Sequence, residues 1–217
     1  MKWALFGGTF DPIHFGHLRA AQELCALLSL DRVIFIPAPA PPHKTEWKIS
    51  PFEDRLQMVR LAVSGNPLFS FSDIESQRSG KSYSVDTVRY FLEQAVQSTT
   101  LYFITGQDAF NAIVTWREWE SLLGLCHFAV MTRPGYENEG LKKILPPDLA
   151  AAYRYDEAGD AFESPSGKRV FFRKTTFLDI SASDLREKIR QGQSIRYLTP
   201  DSVIAYIEEK GLYKSRV

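Results

Sequence analysis

The chain has 217 residues, of which 44% are hydrophobic, 24% charged and 13% aromatic, with 13 Gly and 12 Pro. That length and balance suit one globular domain with a real core, and exclude collagen-like, coiled-coil and wholly disordered classes. Lys plus Arg number 26 and Asp plus Glu number 26, so no net field draws the molecule to nucleic acid or an anionic membrane. Two cysteines, Cys25 and Cys126, cannot build a disulfide framework or a four-thiolate zinc site, and both are expected in the core of a protein kept in a reducing cytoplasm. Met1 to Phe6 is too short for the apolar part of a secretion signal, and no run approaches about 18 apolar residues, so export and membrane spanning are not expected.

Short apolar runs alternate with segments of helical period, the pattern of βα units laid into a parallel sheet. Lys2 to Phe6 reads as the first strand. Leu18, Ala21, Leu24, Cys25 and Leu28 recur at three- and four-residue steps and predict an amphipathic helix from Phe15 to Leu28. Val33 to Ile36 is a buried second strand, and Pro37 to Lys44 follows as a stiff exposed loop whose prolines forbid helix and ladder bonds. Ser50, Pro51 and Glu53 read as N-cap, first helical position and N3 of a helix ending near Ser64. Phe69 to Ile74 predicts a third strand, Val85 to Val96 a helix capped by Ser84, and Leu101 to Thr105 a fourth strand entering Gly106-Gln107-Asp108. A single helix from Ala109 to Leu123 should carry Trp116 and Trp119, and Phe128 to Met131 a fifth strand ending at Arg133-Pro134-Gly135. From Tyr136 to Arg169 the periodicity is lost, and irregular structure is expected. Val170 to Arg173 resumes a strand, Ser181 opens a helix that stops near Gly192, and Thr199-Pro200 opens a last helix closed by Gly211.

The segment Gly7-Gly8-Thr9-Phe10-Asp11-Pro12-Ile13-His14-Phe15-Gly16-His17 lies between the first strand and its helix, the crevice where open parallel sheets bind ligands. Two glycines let the backbone approach a phosphate closely, the helix beyond offers unpaired N–H groups, and two histidines three apart can both donate to anionic oxygen. It is neither a dinucleotide fingerprint nor a P-loop, because no Gly-Lys-Ser/Thr follows the glycines. Taken as residues alone, the histidines could also ligate a metal or serve as hydrogen-bonded turn residues, although no third ligand is evident. The chemistry such a cradle suits is in-line attack by a substrate phosphate oxygen on the α-phosphorus of a nucleoside triphosphate. Pyrophosphate then leaves, and the protein aligns the reactants and stabilises charge.

These residues resemble the His-x-Gly-His signature of the nucleotidyltransferase superfamily. Near the other end, Ile180-Ser181-Ala182-Ser183-Asp184-Leu185-Arg186 resembles its second signature, Ile-Ser-Ser-Thr-x-Ile-Arg, departing from it at Ala182, Ser183 and Leu185. Alone, that segment reads equally well as an ordinary helix cap with an exposed arginine. The resemblance implies a Rossmann-like, doubly wound, mostly parallel α/β sheet with helices on both faces. It implies one domain over 1–217, with 136–169 as an excursion and 181–217 as a helical C-terminal part. It also implies an ATP site made by Gly7, Gly8, Thr9, Phe10, His14, Gly16, His17, Ile180, Ser181, Ser183 and Arg186. His14, His17 and Arg186 take the catalytic roles, with the Arg186 guanidinium forking onto the triphosphate.

Further segments are similar to the nicotinate mononucleotide adenylyltransferase family. They are the Pro37 to Lys44 loop, Asp54 to Met58, the Ser82 to Thr87 turn, Phe103 to Asp108 with Trp116 and Trp119, Arg133-Pro134-Gly135, and the C-terminus from Thr199 to Tyr213. Only Tyr136 to Arg169 lacks a counterpart. By that resemblance Trp116 stacks on the pyridine ring, while Ser84 and the amides near it, beside Tyr83, hold the nicotinate carboxylate. Gly106 and Asp108 serve the ribose side, His43 and Lys44 close over phosphate, and Arg133 adds charge. A helix N-terminus favours a carboxylate over a neutral carboxamide. As residues alone, tryptophans three apart are as readily core as ligand platform, and a His-Lys pair in a proline loop is ordinarily solvated. His127 reads as a packed or surface histidine. The implied partners are ATP and nicotinate mononucleotide, without nucleic acid or membrane, and a homo-oligomer stays open. Mg²⁺ is expected to travel with the ATP phosphates and not on dedicated protein ligands. Other readings left open are an adenylyltransferase for nicotinamide mononucleotide or phosphopantetheine, and a non-catalytic ATP-binding sensor.

Overall fold

The computed structural model describes residues 1–39, 49–78, 80–96, 98–132 and 140–214. Six strands run parallel to one another: β1 (Lys2–Gly8), β2 (Arg32–Pro37), β3 (Phe69–Phe71), β4 (Thr100–Gly106), β5 (His127–Thr132) and β8 (Arg169–Lys174). Two short strands, β6 (Arg154–Asp156) and β7 (Ala161–Glu163), join antiparallel to complete the order β3-β2-β1-β4-β5-β8-β7-β6. The chain leaves β1 toward β2 and later returns to β4 on its other side. A crevice therefore opens at the carboxyl ends of β1 and β4, the switch point of a doubly wound sheet.

Period-two alternation assigns the core to two faces. Ala4, Phe6, Val33, Phe35 and Ile104 pack with α1 (Phe15–Leu28), α2 (Phe52–Val63), α7 (Ala182–Arg190) and α8 (Asp201–Lys210). Leu5, Ile34, Ile36, Phe103 and Val130 pack with α3 (Ser84–Gln94), α4 (Gln107–Asn111), α5 (Trp119–Leu125) and α6 (Pro147–Ala152). Because both faces are covered, the strands read as near-continuous apolar runs. The sheet is thus mostly parallel with helices on both faces, as the sequence predicts. No helix among the described residues is long and apolar enough to cross a membrane. Cys25 and Cys126 are buried free thiols, and burial pushes them up to about 11 and about 12.

The element ends show where local signals decide. Ser181 caps α7, its hydroxyl accepting from the Asp184 amide at 3.1 Å, an arrangement that stabilises a helix by about 1 kcal/mol. Gly211 closes α8 in the left-handed region at φ 60°. Elsewhere the structure corrects the sequence reading. The cap of α2 is Pro51, not Ser50, and that of α3 is Tyr83, with Ser84 the first helical residue. The third strand stops at Phe71.

The predicted helix from Ala109 to Leu123 is broken. After α4 come a 3₁₀ turn at Ile113–Thr115, an extended Trp116 and a left-handed Glu118 at φ 50°, before α5 begins. Phe110, Ile113, Leu122 and Leu123 are all buried, so the apolar period continues across the break, and no Gly or Pro marks it. The β-branched run Ile113-Val114-Thr115 is the local reason a continuous helix is disfavoured there.

The stretch expected to be irregular carries a 3₁₀ turn at Leu141–Lys143, α6 and the β6–β7 pair, docked through buried Leu141, Leu145, Ala150 and Ala161. Strands of three residues offer too few positions for an alternating pattern to register. Arg169 ties the pair to β8 through Glu163 at 2.6 Å and Asp156 at 3.4 Å.

Candidate active site

At the end of β1 the backbone turns sharply and is held by its own side chains. Phe10 adopts φ 48° and buries its ring edge-on to Phe6, centroids 5.7 Å apart. A Cβ on Gly8 would lie 2.8 Å from that ring, so any other residue here would have to displace the buried Phe10 ring. The Asp11–Pro12 peptide is cis.

The two histidines then meet. Their rings stack with centroids 3.7 Å apart, and the His14 amide donates to His17 Nδ1 at 3.3 Å. With Nδ1 accepting, a neutral His17 ring carries its proton on Nε2. Burial pulls the His14 imidazole down to about 4, so it is neutral at physiological pH. Among the described residues its buried Nδ1 has no hydrogen-bond partner, and buried polar atoms are rarely left so. Gly16 is a second tightly packed glycine, since a Cβ there would meet His14 Nδ1 at 3.0 Å and lie 3.8 Å from the Ile180 carbonyl. The two sequence signatures therefore abut at Gly16.

Residues far along the chain brace this loop. Arg186 Nη1 donates to the Asp11 carbonyl at 2.6 Å, and Nη2 lies 3.4 Å from Ser183 Oγ. The Tyr213 hydroxyl donates to Asp11 Oδ1 at 2.7 Å, and the Ser50 amide to Oδ2 at 3.3 Å. Desolvation and Asp11 push the Tyr213 phenol above its ordinary range. Thr199 Oγ1 donates to the Ile13 carbonyl at 2.7 Å. Arg55, 1% exposed, donates to the carbonyls of Thr9 (2.8 Å), Ala38 (2.7 Å), Pro39 (3.0 Å) and Ser50 (3.0 Å). One guanidinium thus fixes the chain ends that leave β1 and β2. Burial lowers its pKa, and the Asp11 charge opposes that shift.

A cleft of about 550 Å³ begins at Gly7, Gly8 and Thr9, crosses the carboxyl ends of β1 and β4, and ends at Ser82, Tyr83, Ser84 and Trp116. It joins two groups of residues that the sequence singled out from distant positions. Trp116 stands edge-on to Phe103, centroids 5.9 Å apart, and forms part of the wall. Trp119 packs against the second core cluster. Gly106 caps α4, and Asp108 lies exposed on that helix's first turn, outside the cleft lining. Phe10, His14, Gly16, His17 and Arg186 form the layer beside the cradle and not the cleft wall itself. Ile180 and Ser181 line a separate hollow of about 320 Å³, and Ser183 is exposed on α7. Leu185, one of the departures from the second signature, is a fully buried core residue. His43, Lys44 and Arg133 lie outside the described residues.

Sequence reasoning missed several groups. Glu75, 8% exposed, lines the cleft and accepts from Thr87 Oγ1 at 2.8 Å, and burial raises its pKa. Arg117 lines the cleft with its guanidinium 4.6 Å above the Tyr83 ring. The bracing roles of Asp11, Arg55 and Tyr213 had no short-range signal, because each acts across tens of residues. His127 is a packing residue: its ring stacks on Tyr102, Nδ1 accepts from the Arg169 amide at 3.0 Å, and burial pulls it down to about 4.

A parallel sheet ending its first strand in a glycine bend, with a two-histidine helix start beside it and a cleft at its switch point, is the architecture of a nucleotide-binding α/β protein. The chain belongs to the cytidylyltransferase-like family, which matches residues 5–188. It is 46% identical over 213 residues to a protein of Pelobacter propionicus named "probable nicotinate-nucleotide adenylyltransferase", covering 98% of each chain. A protein of the same name from Syntrophotalea carbinolica is 41% identical over 216 residues, covering 100% of this chain and 99% of that one. Among solved structures, Plasmodium falciparum nicotinic acid mononucleotide adenylyltransferase complexed with NaAD shares the fold. Its TM-score is 0.71 at 19% identity, covering 98% of this chain and 97% of that one.

Proposed function

We propose that this protein is an adenylyltransferase that joins the AMP moiety of ATP to nicotinate mononucleotide, giving deamido-NAD and pyrophosphate in NAD biosynthesis. The observation that carries the reading is the continuous cleft from the Gly8–Thr9 cradle to Ser84 and Trp116, one end suited to a triphosphate and the other to a flat ring. The curated relatives of that name match along the whole chain, which supports the same conclusion.

In this reading a phosphate oxygen of the mononucleotide attacks the α-phosphorus of ATP. A new P–O bond forms while the bond from Pα to the bridging oxygen breaks, and pyrophosphate carries away the electron pair. His17 donates from Nε2, the neutral His14 ring in its Nδ1–H tautomer would donate from that orphaned nitrogen to a phosphate oxygen, and Arg186 adds a fixed positive charge. The side chains of Asp11, Arg55, Thr199 and Tyr213 hold that loop so that alignment needs little reorganisation. Ser84 and the first amides of α3 receive the nicotinate carboxylate, and Trp116 faces the pyridine.

Among the described residues no group of three His, Cys, Asp or Glu side chains could hold a metal ion. The Mg²⁺ we invoke would arrive with the ATP phosphates, held by their oxygens and water, and would supply charge neutralisation on the leaving pyrophosphate. A cytoplasmic location belongs to the same proposal and fits two buried, unoxidised thiols.

The test is pyrophosphate release from ATP and Mg²⁺ with nicotinate mononucleotide, nicotinamide mononucleotide or phosphopantetheine in turn, with product mass confirming deamido-NAD. Release that is fastest with phosphopantetheine would overturn the acceptor. Release with none of the three would point instead to an ATP-binding sensor.

A further inference from the structure

The acid and amide forms of the pyridine mononucleotide differ by one charge, so the cleft should hold a cation that tells them apart. Among the described residues, Arg117 is the only cationic side chain lining the cleft, and Glu75 the only anionic one. The Glu75 carboxylate is turned into its own network: it accepts from Thr87 Oγ1 at 2.8 Å, and Arg78 donates to that same hydroxyl at 3.2 Å. Arg117 sits differently. Its guanidinium carbon is 4.6 Å above the ring of Tyr83, which precedes Ser84 and caps α3, so the charge is parked at the mouth of the carboxylate end.

The competing partner of Arg117 is already claimed. Glu118 Oε1 lies 3.6 Å from Arg117 Nε, but Glu118 Oε2 is held by Arg89 Nη2 at 2.6 Å. The Arg117 side chain is 54% exposed, so its contact with Glu118 is a weak surface pair that an incoming carboxylate can outbid. The fork of an arginine matches a carboxylate and gives nothing comparable to a carboxamide, which is an acceptor and a donor without net charge.

We propose that Arg117 is a specificity-determining residue that pairs with the carboxylate of nicotinate mononucleotide and sets the preference for the acid over the amide. This rests on the adenylyltransferase reading above and adds to Ser84 and the α3 amides a full positive charge they do not supply. Substrate binding covers the pair and lowers its local dielectric, so its contribution exceeds that of an open surface pair.

The experiment compares wild type, Arg117→Gln and Arg117→Lys by steady-state pyrophosphate release with nicotinate and with nicotinamide mononucleotide. Arg117→Gln should raise the KM for the acid about tenfold with kcat within about twofold, leave kcat/KM for the amide and the KM for ATP unchanged, and so lower the acid-to-amide ratio about tenfold. Arg117→Lys keeps the charge but loses the fork, and its ratio should fall between those of wild type and Arg117→Gln. The ratio of the wild type should also fall with added salt, and that of Arg117→Gln much less. An equal loss with both mononucleotides, or an unmoved ratio, would overturn the assignment while leaving the adenylyltransferase reading intact. A wild type that releases no pyrophosphate with the acid would overturn both.

Discussion

Gly16→Ala separates stability from activity in a way that follows directly from the packing. Gly16 is a helical residue of α1 with an unstrained φ, so alanine there should stabilise the helix by up to about 1 kcal/mol. The new methyl, however, would stand 3.0 Å from His14 Nδ1 and 3.1 Å from Cε1, so the ring must yield by a few tenths of an ångström. That ring is stacked 3.7 Å from His17 and cannot move independently of it. Misplacement of reacting groups on the scale of 1 Å costs about 100-fold, so a shift of a few tenths of an ångström should lower kcat about 3- to 10-fold. Thermal unfolding and pyrophosphate release on the same preparation make the assay. The expected result is a melting temperature equal to or above wild type with turnover down by about threefold or more. Turnover within twofold of wild type, or a melting temperature several degrees lower, would refute the claim that Gly16 is glycine for the sake of the histidine rings.

Three further outcomes follow from the bracing of the same loop and from the buried imidazoles. Arg55→Met should cost about 2 to 3 kcal/mol in denaturant unfolding, because it strips donors from the part-buried carbonyls at Thr9, Ala38, Pro39 and Ser50. Tyr213→Phe removes one donor from the buried Asp11 carboxylate and should cost about 1 to 2 kcal/mol, with a loss of turnover that exceeds the loss of folded protein. His14 and His127 both have folded-state values near 4, below the ordinary 6.5, so the unfolded chain binds more protons as pH falls from 6.5 toward 4. Stability should therefore be full above about pH 6.5 and decline through that window. Glu75, whose value burial raises, opposes the decline in the carboxylate range. His127→Gln should flatten the slope of unfolding free energy against pH by up to one proton, and an unchanged slope would contradict the buried-neutral assignment.

Much of the architecture was readable because the parallel strands are covered on both faces and so stand out as apolar runs such as Val33 to Ile36 and Leu101 to Thr105. The helix from Phe15 to Leu28 and the Ser181 cap were readable for local reasons, a clean 3.6-residue period and a single side-chain oxygen. Features set by tertiary contact were hidden. The break between α4 and α5 preserves the apolar period across Phe110, Ile113 and Leu122, and its left-handed residue is Glu118, not a glycine. The β6–β7 pair is too short to alternate visibly.

At the site, glycines and histidines announce themselves because few residues can do their work. Arg55, Asp11 and Tyr213 look ordinary in sequence because their partners lie 46, 175 and 202 positions away. Arg117 follows a tryptophan in a charged segment and resembles any solvated side chain until Tyr83 is seen beneath it.

The central claim is that the His17 ring, oriented by its partner at the glycine bend, stabilises the charge that develops on the ATP phosphates. Its most direct test is the single-turnover rate of His17→Ala with ATP, Mg²⁺ and nicotinate mononucleotide at saturating concentrations. Loss of one such preorganised donor predicts a rate about 100- to 1,000-fold below wild type, in a variant that is less stable but still fully folded at the assay temperature. A rate within tenfold of wild type from a fully folded variant would contradict the account.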